Sequence, residues 1–168
     1  MPEKRKKRSD DMNKNEEVVG LLLEKGLYVT AAESCTGGLF ASMITEVSGS
    51  SGCFCGSAVT YSNSEKNHLL GVEKSTLENF GAVSYNTAIE MADGARILFG
   101  ADIGIGITGI AGPTGGSTEK PVGLVYISLS RQGGTVVYKK IFKGTRKEVR
   151  EAAASFALSL VFDAAKEF

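Results

Sequence analysis

This chain has little sulfur, little imidazole and little proline. Its 168 residues include 3 Cys, 1 His and 3 Pro. Cys35, Cys53 and Cys55 are odd in number, and the last two are spaced Cys-x-Cys rather than Cys-x-x-Cys. With His68 as the single histidine, that set argues against a zinc site. It suits reduced thiols in a cytosolic compartment. No metal and no cofactor is expected. No apolar run is long enough to cross a bilayer. The first residues are charged where a secretory signal would be apolar, so the chain is expected to be cytoplasmic and away from membranes. Neither sign of charge is in excess: Lys and Arg number 19, Asp and Glu 19. Five of the basic residues and one of the acidic ones fall in the first eight positions, which leaves residues 9–168 at −4. A mildly acidic body does not make a nucleic-acid surface. Lys4, Arg5, Lys6, Lys7 and Arg8 read as a solvated tail or an interaction arm.

What is present points to one folded domain. Apolar residues make up 42% and charged residues 23%, enough for a sizeable core in a chain of this length. Residues 1–15 are polar and are expected to be a disordered tail, with a single domain over 16–168. Val18, Val19, Leu21, Leu22 and Leu23 give a first helix ending near Gly26, and 27–32 read as a strand. Thr36 is a candidate cap for a helix through about 47. A second strand is expected over 54–61 and a short helix over 64–70. Ser75 and Glu78 are spaced as a capping box for another. Ser84 is a candidate cap for a helix through 98. Residues 103–108 alternate Ile and Gly, a thin strand that requires something to pack closely against it. A Gly- and Pro-rich loop spans 109–121. Strands at 122–129 and 136–142 are joined at Gly133-Gly134 as a hairpin, and a last helix covers 146–166. Helices before, between and after strands predict an α/β fold, a three-layer α/β/α sandwich with a mixed β-sheet.

The stretch Val29-Thr30-Ala31-Ala32-Glu33-Ser34-Cys35-Thr36-Gly37-Gly38 turns from strand into helix, with a hydroxyl and a thiol at the corner. Such corners place a nucleophile or an anion at the positive end of a helix. It is not the Gly-x-Ser-x-Gly elbow. Ser34 is either a helix-cap serine or a nucleophile, and a nucleophile needs a base. No Ser-His-Asp arrangement is compelled, so lysine is the other base chemistry available. Lys66 sits just beyond a strand end, where sites of α/β sheets gather. It reads either as solvated surface or as a base whose proton is displaced by burial. Tyr61 would orient the lysine, relay a proton, or simply pack. The second constellation is the loop from Gly106 to Ser117, with Thr108, Gly109, Gly112, Gly115 and Gly116. Its amides would suit a phosphate, or the loop is structural; it is neither a P-loop nor a dinucleotide fingerprint. Lys120, and Arg146, Lys147 and Arg150 at the start of the last helix, would neutralise a phosphate. Basic residues in a first helical turn oppose the helix dipole, which a bound anion would explain.

These motifs together resemble the CinA C-terminal domain family. The resemblance rests on Ala32-Glu33-Ser34-Cys35-Thr36-Gly37-Gly38, Gly49-Ser50-Ser51, Val59-Thr60-Tyr61-Ser62-Asn63 with Lys66, Leu70-Gly71-Val72, Gly81-Ala82-Val83-Ser84, Thr108-Gly109-Ile110-Ala111-Gly112-Pro113, Gly115-Gly116 and Glu119-Lys120-Pro121-Val122-Gly123. It runs from about residue 16 to 166. It implies a nicotinamide-nucleotide amidase, which hydrolyses nicotinamide mononucleotide to nicotinate mononucleotide and ammonia in pyridine nucleotide salvage. Carried onto this chain, Ser34 would be the nucleophile, Lys66 the general base and Tyr61 an aid to proton transfer. Thr36, Gly37, Thr108, Gly109, Gly112, Gly115, Gly116, Lys120 and Arg146 would bind the nucleotide or its phosphate. Two other functions fit the same residues: an amidase or hydrolase of another phosphorylated small molecule, and a catalytically silent ligand-binding or interaction module. The expected partner is a small-molecule nucleotide, with a homodimer as the expected assembly.

Overall fold

A computed structural model of the chain describes the backbone of residues 2–168 and the side chains of residues 14–168. Five strands form one sheet in the order β2-β1-β3-β4-β5. They are β1 (Val29–Glu33), β2 (Phe54–Val59), β3 (Ile103–Gly109), β4 (Leu124–Arg131) and β5 (Gly134–Ile141). β1 runs parallel to both β2 and β3, and the β3–β4 and β4–β5 pairs are antiparallel. Helices α1 (Pro2–Lys25), α2 (Leu39–Thr45) and α6 (Arg146–Lys166) cover one face. Helices α3 (Asn63–Leu70), α4 (Lys74–Phe80) and α5 (Tyr85–Phe99) lie on the other. The result is a three-layer α/β/α sandwich with a mixed sheet, as the alternation of elements implied.

The Ile–Gly alternation of β3 explains how the layers meet. Side chains alternate across a strand, so Ile103, Ile105 and Ile107 all enter the core beneath α1 and α6 and are fully buried. Gly104 and Gly106 face α5. A Cβ on Gly106 would lie 2.5 Å from Ser128 Oγ, 2.7 Å from the Ala88 carbonyl oxygen and 2.9 Å from the Ala92 nitrogen. The bare backbone is what lets α5 rest directly on the strand. Two of those three atoms are helix backbone and cannot step aside. Gly106→Ala is therefore expected to lower the unfolding free energy by about 2–3 kcal/mol, measured by urea denaturation.

Helix α1 runs from Pro2 to Lys25, and two helix caps differ from the sequence-based expectations. Lys, Arg and Glu are good helix formers, and they extend a helix already nucleated by the packed turns that bury Val18, Val19 and Leu22. The side chains of the basic cluster at 4–8, and residue 1 altogether, lie outside the described residues. Thr36 does not cap α2; the cap position is Gly38, in the left-handed region at φ 97°. Ser75 does not begin α4, because Glu73 is the cap position and its amide donates to Glu90. Helix α6 spans the expected 146–166, behind a capping box that was not among the sequence-based expectations. The Thr145 hydroxyl accepts from the Glu148 amide, and the Glu148 carboxylate accepts from the Thr145 amide. The Ser84 cap of α5 is as expected, with the Thr87 amide donating to its hydroxyl.

Candidate active site

The carboxyl ends of β1, β2 and β3 lie side by side, and the polar residues of the first motif gather there. Alternation along β1 sorts them. Val29, Ala31 and Glu33 face the α2 and α6 layer, while Ala32 faces α3 and α5. Ser34 continues the pairing one residue further, its amide donating to the Ile107 carbonyl, so it is turned toward α3.

Glu33 is fully buried. Its Oε2 accepts from the amides of Gly38 and Phe40, both at 3.1 Å, and its Oε1 from the amide of Ala41 at 3.0 Å. The Ser57 hydroxyl donates to Oε1 at 3.2 Å. The Leu39 amide donates to the Thr36 carbonyl and the Ser42 amide to the Gly38 carbonyl. Every donor of the first turn of α2 is thus satisfied from within. This corrects one expectation: the positive end of α2 already holds an anion, and it is the chain's own carboxylate. It also explains why Thr36 has no capping work. Its hydroxyl, and that of Thr60, are buried without a hydrogen-bond partner among the described residues.

Lys66 comes from the first turns of α3, which starts where the Ser62 hydroxyl accepts from the Glu65 amide at 3.2 Å. The lysine points inward and is 1% exposed. Its Nζ lies 3.0 Å from Ser34 Oγ and donates to the Thr60 carbonyl at 2.7 Å. Burial disfavours the ammonium and brings its pKa down from 10.5 to about 8; the neighbouring Cys35 opposes this weakly. Near pH 8, half the molecules thus hold a neutral amine whose lone pair can face the Ser34 hydroxyl. Cys35, the adjacent thiol, goes the other way. Burial pushes it up from 9.0 to about 11, so it stays protonated and is a poor nucleophile.

Two guanidinium groups from α6 close the corner. Arg150 donates from Nε to the Cys35 carbonyl at 3.0 Å and from Nη2 to the Thr36 carbonyl at 2.8 Å. Arg146 donates from Nη1 to the Gly112 carbonyl at 2.9 Å and from Nη2 to the Tyr61 hydroxyl at 3.0 Å. These carbonyls account for the arginines at the start of α6, where the sequence suggested a bound anion. Lys147, the third basic residue there, lies 3.7 Å from Glu151 in an exposed pair.

The other sequence candidates divide. Tyr61 is 64% exposed, bonds Arg146, and makes no hydrogen bond to Lys66 or Ser34 among the described residues. The Thr108 hydroxyl donates to the Ala82 carbonyl at 2.7 Å, tying β3 to the segment before α5. Gly109 pairs with β4 so closely that a Cβ would meet the Leu124 carbonyl oxygen at 2.6 Å. Lys120 donates to the Phe80 carbonyl at the C-terminal end of α4, where a cation suits the helix dipole. Gly37 is exposed. Gly112, Gly115 and Gly116 keep amides with no hydrogen bond among the described residues. Glu33 was missed as a site residue, although an acidic residue just ahead of a helix start is a signal for it. Nothing local signalled the Thr60 carbonyl.

Residues 11–165 match the CinA C-terminal domain family. A CinA-like protein of Kosmotoga olearia is 55% identical over 144 residues, covering 86% of this chain and 35% of that protein. Another, from Leptospira biflexa, is 48% identical over 147 residues, covering 87% and 35%. The chain thus spans about a third of the length of these curated relatives. Among solved structures, a competence/damage inducible protein, CihA, from Agrobacterium tumefaciens superposes with a TM-score of 0.89 at 40% identity, covering 94% of this chain and 96% of that one. A CinA superfamily protein from Klebsiella pneumoniae gives 0.90 at 31% identity, covering 94% and 99%. Among the described residues no helix is long and apolar enough to cross a membrane. By its sequence and its fold, the chain belongs to the CinA C-terminal domain family.

Proposed function

We propose that this domain hydrolyses the carboxamide of nicotinamide mononucleotide to nicotinate mononucleotide and ammonia, using Ser34 and Lys66 as nucleophile and base. One observation carries the reading: a buried lysine with a lowered pKa lies 3.0 Å from a serine hydroxyl at the carboxyl edge of the sheet. Burying an ammonium without a carboxylate partner is costly, and a proton-accepting role gives that cost a purpose.

In the forward step, neutral Lys66 takes the Ser34 proton while Oγ attacks the amide carbon. The C–O bond forms as the carbonyl π pair moves onto oxygen. The ammonium so formed then gives its proton to the departing nitrogen, the C–N bond breaks and ammonia leaves. A water, deprotonated by the same amine, attacks the ester on Ser34. Collapse of that second intermediate returns the proton to Oγ and releases the carboxylate product. The Thr60 carbonyl keeps Nζ aimed throughout. The Thr36 amide makes no hydrogen bond among the described residues, which leaves it to stabilise the oxyanion, and the Cys35 amide beside it interacts with its own thiol. Such a donor is worth about 3 kcal/mol. Arg146 and the free amides of Gly112, Gly115 and Gly116 are placed in this reading to hold the phosphate. Tyr61, bonded to Arg146, then acts on the substrate side and does not relay the proton.

The test is ammonia release from nicotinamide mononucleotide by the wild type and by Ser34→Ala, with free nicotinamide as the control. The reading expects release by the wild type alone, and little from nicotinamide, which lacks the phosphate. No release by the wild type would leave a silent ligand-binding module. Release from another phosphorylated amide in its place would keep the chemistry and change the substrate.

A further inference from the structure

We propose that Arg150 is a positioning residue for the reaction, holding the peptide planes that follow Ser34 so that the Thr36 amide stays presented to the oxyanion. This rests on the Ser34 reading above. In a trans peptide the N–H points opposite to the C=O of the same plane. Fixing a carbonyl therefore fixes the amide of the next residue. The Cys35 carbonyl, held at 3.0 Å by Arg150 Nε, shares its plane with the Thr36 amide. The Thr36 carbonyl, held at 2.8 Å by Nη2, shares its plane with the Gly37 amide. The Gly37 amide in turn donates to the Ser34 carbonyl at 3.1 Å, and that carbonyl shares its plane with the Cys35 amide.

The Cys35 and Thr36 amides are thus each locked through the carbonyl of the same peptide plane. One lock is internal to the turn, and the other comes from α6, 115 residues away at the Cys35 carbonyl. One rigid guanidinium reaches both Cys35 and Thr36; an ammonium is a point charge and cannot reproduce that fork. Gly37 adds the left-handed conformation of the turn, at φ 59°, which glycine adopts most readily. Prepositioned donors act without reorganising as charge develops, so loosening them slows the chemical step more than it weakens binding.

The experiment measures kcat and KM for ammonia release in the wild type, Ser34→Ala, Arg150→Met and Arg150→Lys, with and without added methylguanidinium. The expected result for Arg150→Met is a fall in kcat of about 100-fold with KM within about threefold. Arg150→Lys should recover only part of the loss, and methylguanidinium should restore kcat to Arg150→Met but not to Ser34→Ala. The pH midpoint of kcat/KM, set by Lys66, should not move. A folded Arg150→Met or Arg150→Lys enzyme with wild-type kcat overturns the proposal and leaves the Ser34 reading intact. So does a loss confined to KM, or an unstable Arg150→Met protein whose folded Arg150→Lys counterpart keeps full kcat. A wild type that releases no Ser34-dependent ammonia overturns both.

Discussion

Lys66→Met is expected to cut ammonia release from nicotinamide mononucleotide by about 10⁴-fold while making the protein more stable near pH 7. The two effects share one cause. The amine is buried beside Ser34 and the Thr60 carbonyl with no carboxylate paired to it among the described residues. Its pKa of about 8 in the folded chain, against 10.5 when unperturbed, means that folding works against the bound proton. Between those two values the unfolded chain carries a proton that the folded chain lacks, so wild-type stability climbs with pH across that window. Below about pH 8 both states are protonated and the full cost is present. Methionine fills similar space with no charge to desolvate. The gain near pH 7 is of the order of 2–3 kcal/mol. Cys35, raised from 9.0 to about 11, lowers stability as pH rises through that range, but it does so in both proteins. The wild-type minus variant difference in urea melts from pH 7 to 10 therefore reports the lysine together with its coupling to Cys35. A surface lysine would give neither the loss nor the gain.

The second large effect belongs to Glu33. Glu33→Ala removes the acceptor of three helix amides and one hydroxyl, all inside the fold. Water cannot readily replace a fully buried carboxylate, so the donors are left unmet. The expected loss is about 4 kcal/mol of unfolding free energy, or a fall in melting temperature of roughly 10 °C for a chain of this size. Glu33→Gln keeps one acceptor oxygen but turns an NH₂ group toward donors, so an intermediate loss is expected. Thermal melts at one pH compare the three proteins. If Glu33→Ala melts with the wild type, the carboxylate is not the cap of α2.

The sheet and its helices were legible because their signals are local. The Ile–Gly alternation at 103–108 required a close neighbour, and α5 is that neighbour. The β4–β5 hairpin and the Ser84 cap were equally readable, although the hairpin turns at 132–133, one residue before the expected Gly133-Gly134. The site was legible only as a set of candidates. Ser34 and Lys66 are 32 residues apart, and a lone lysine in a polar stretch has the composition of surface. What joins them is the orientation of Ser34 at the end of β1 and the inward face of α3, which no single segment states. The arginines illustrate the same point. Their position at a helix start suggested a bound anion, yet their partners are carbonyls on the Ser34 turn and the 109–121 loop, 34 to 115 residues away. Glu33 was hidden differently. It sat inside the quoted motif, but the adjacent Thr36 offered a more familiar cap. The deciding fact, a glycine in the left-handed region at the cap position, is a property of the folded backbone.

The pH dependence of kcat/KM for nicotinamide mononucleotide is the most direct test of the idea that a neutral Lys66 amine takes the Ser34 proton. This quantity reports the free enzyme's base. The account predicts a rise with increasing pH that follows one deprotonation, with its midpoint near the lysine's value of about 8, and a plateau above it. A rate that stays flat or falls across pH 6 to 9 would contradict it.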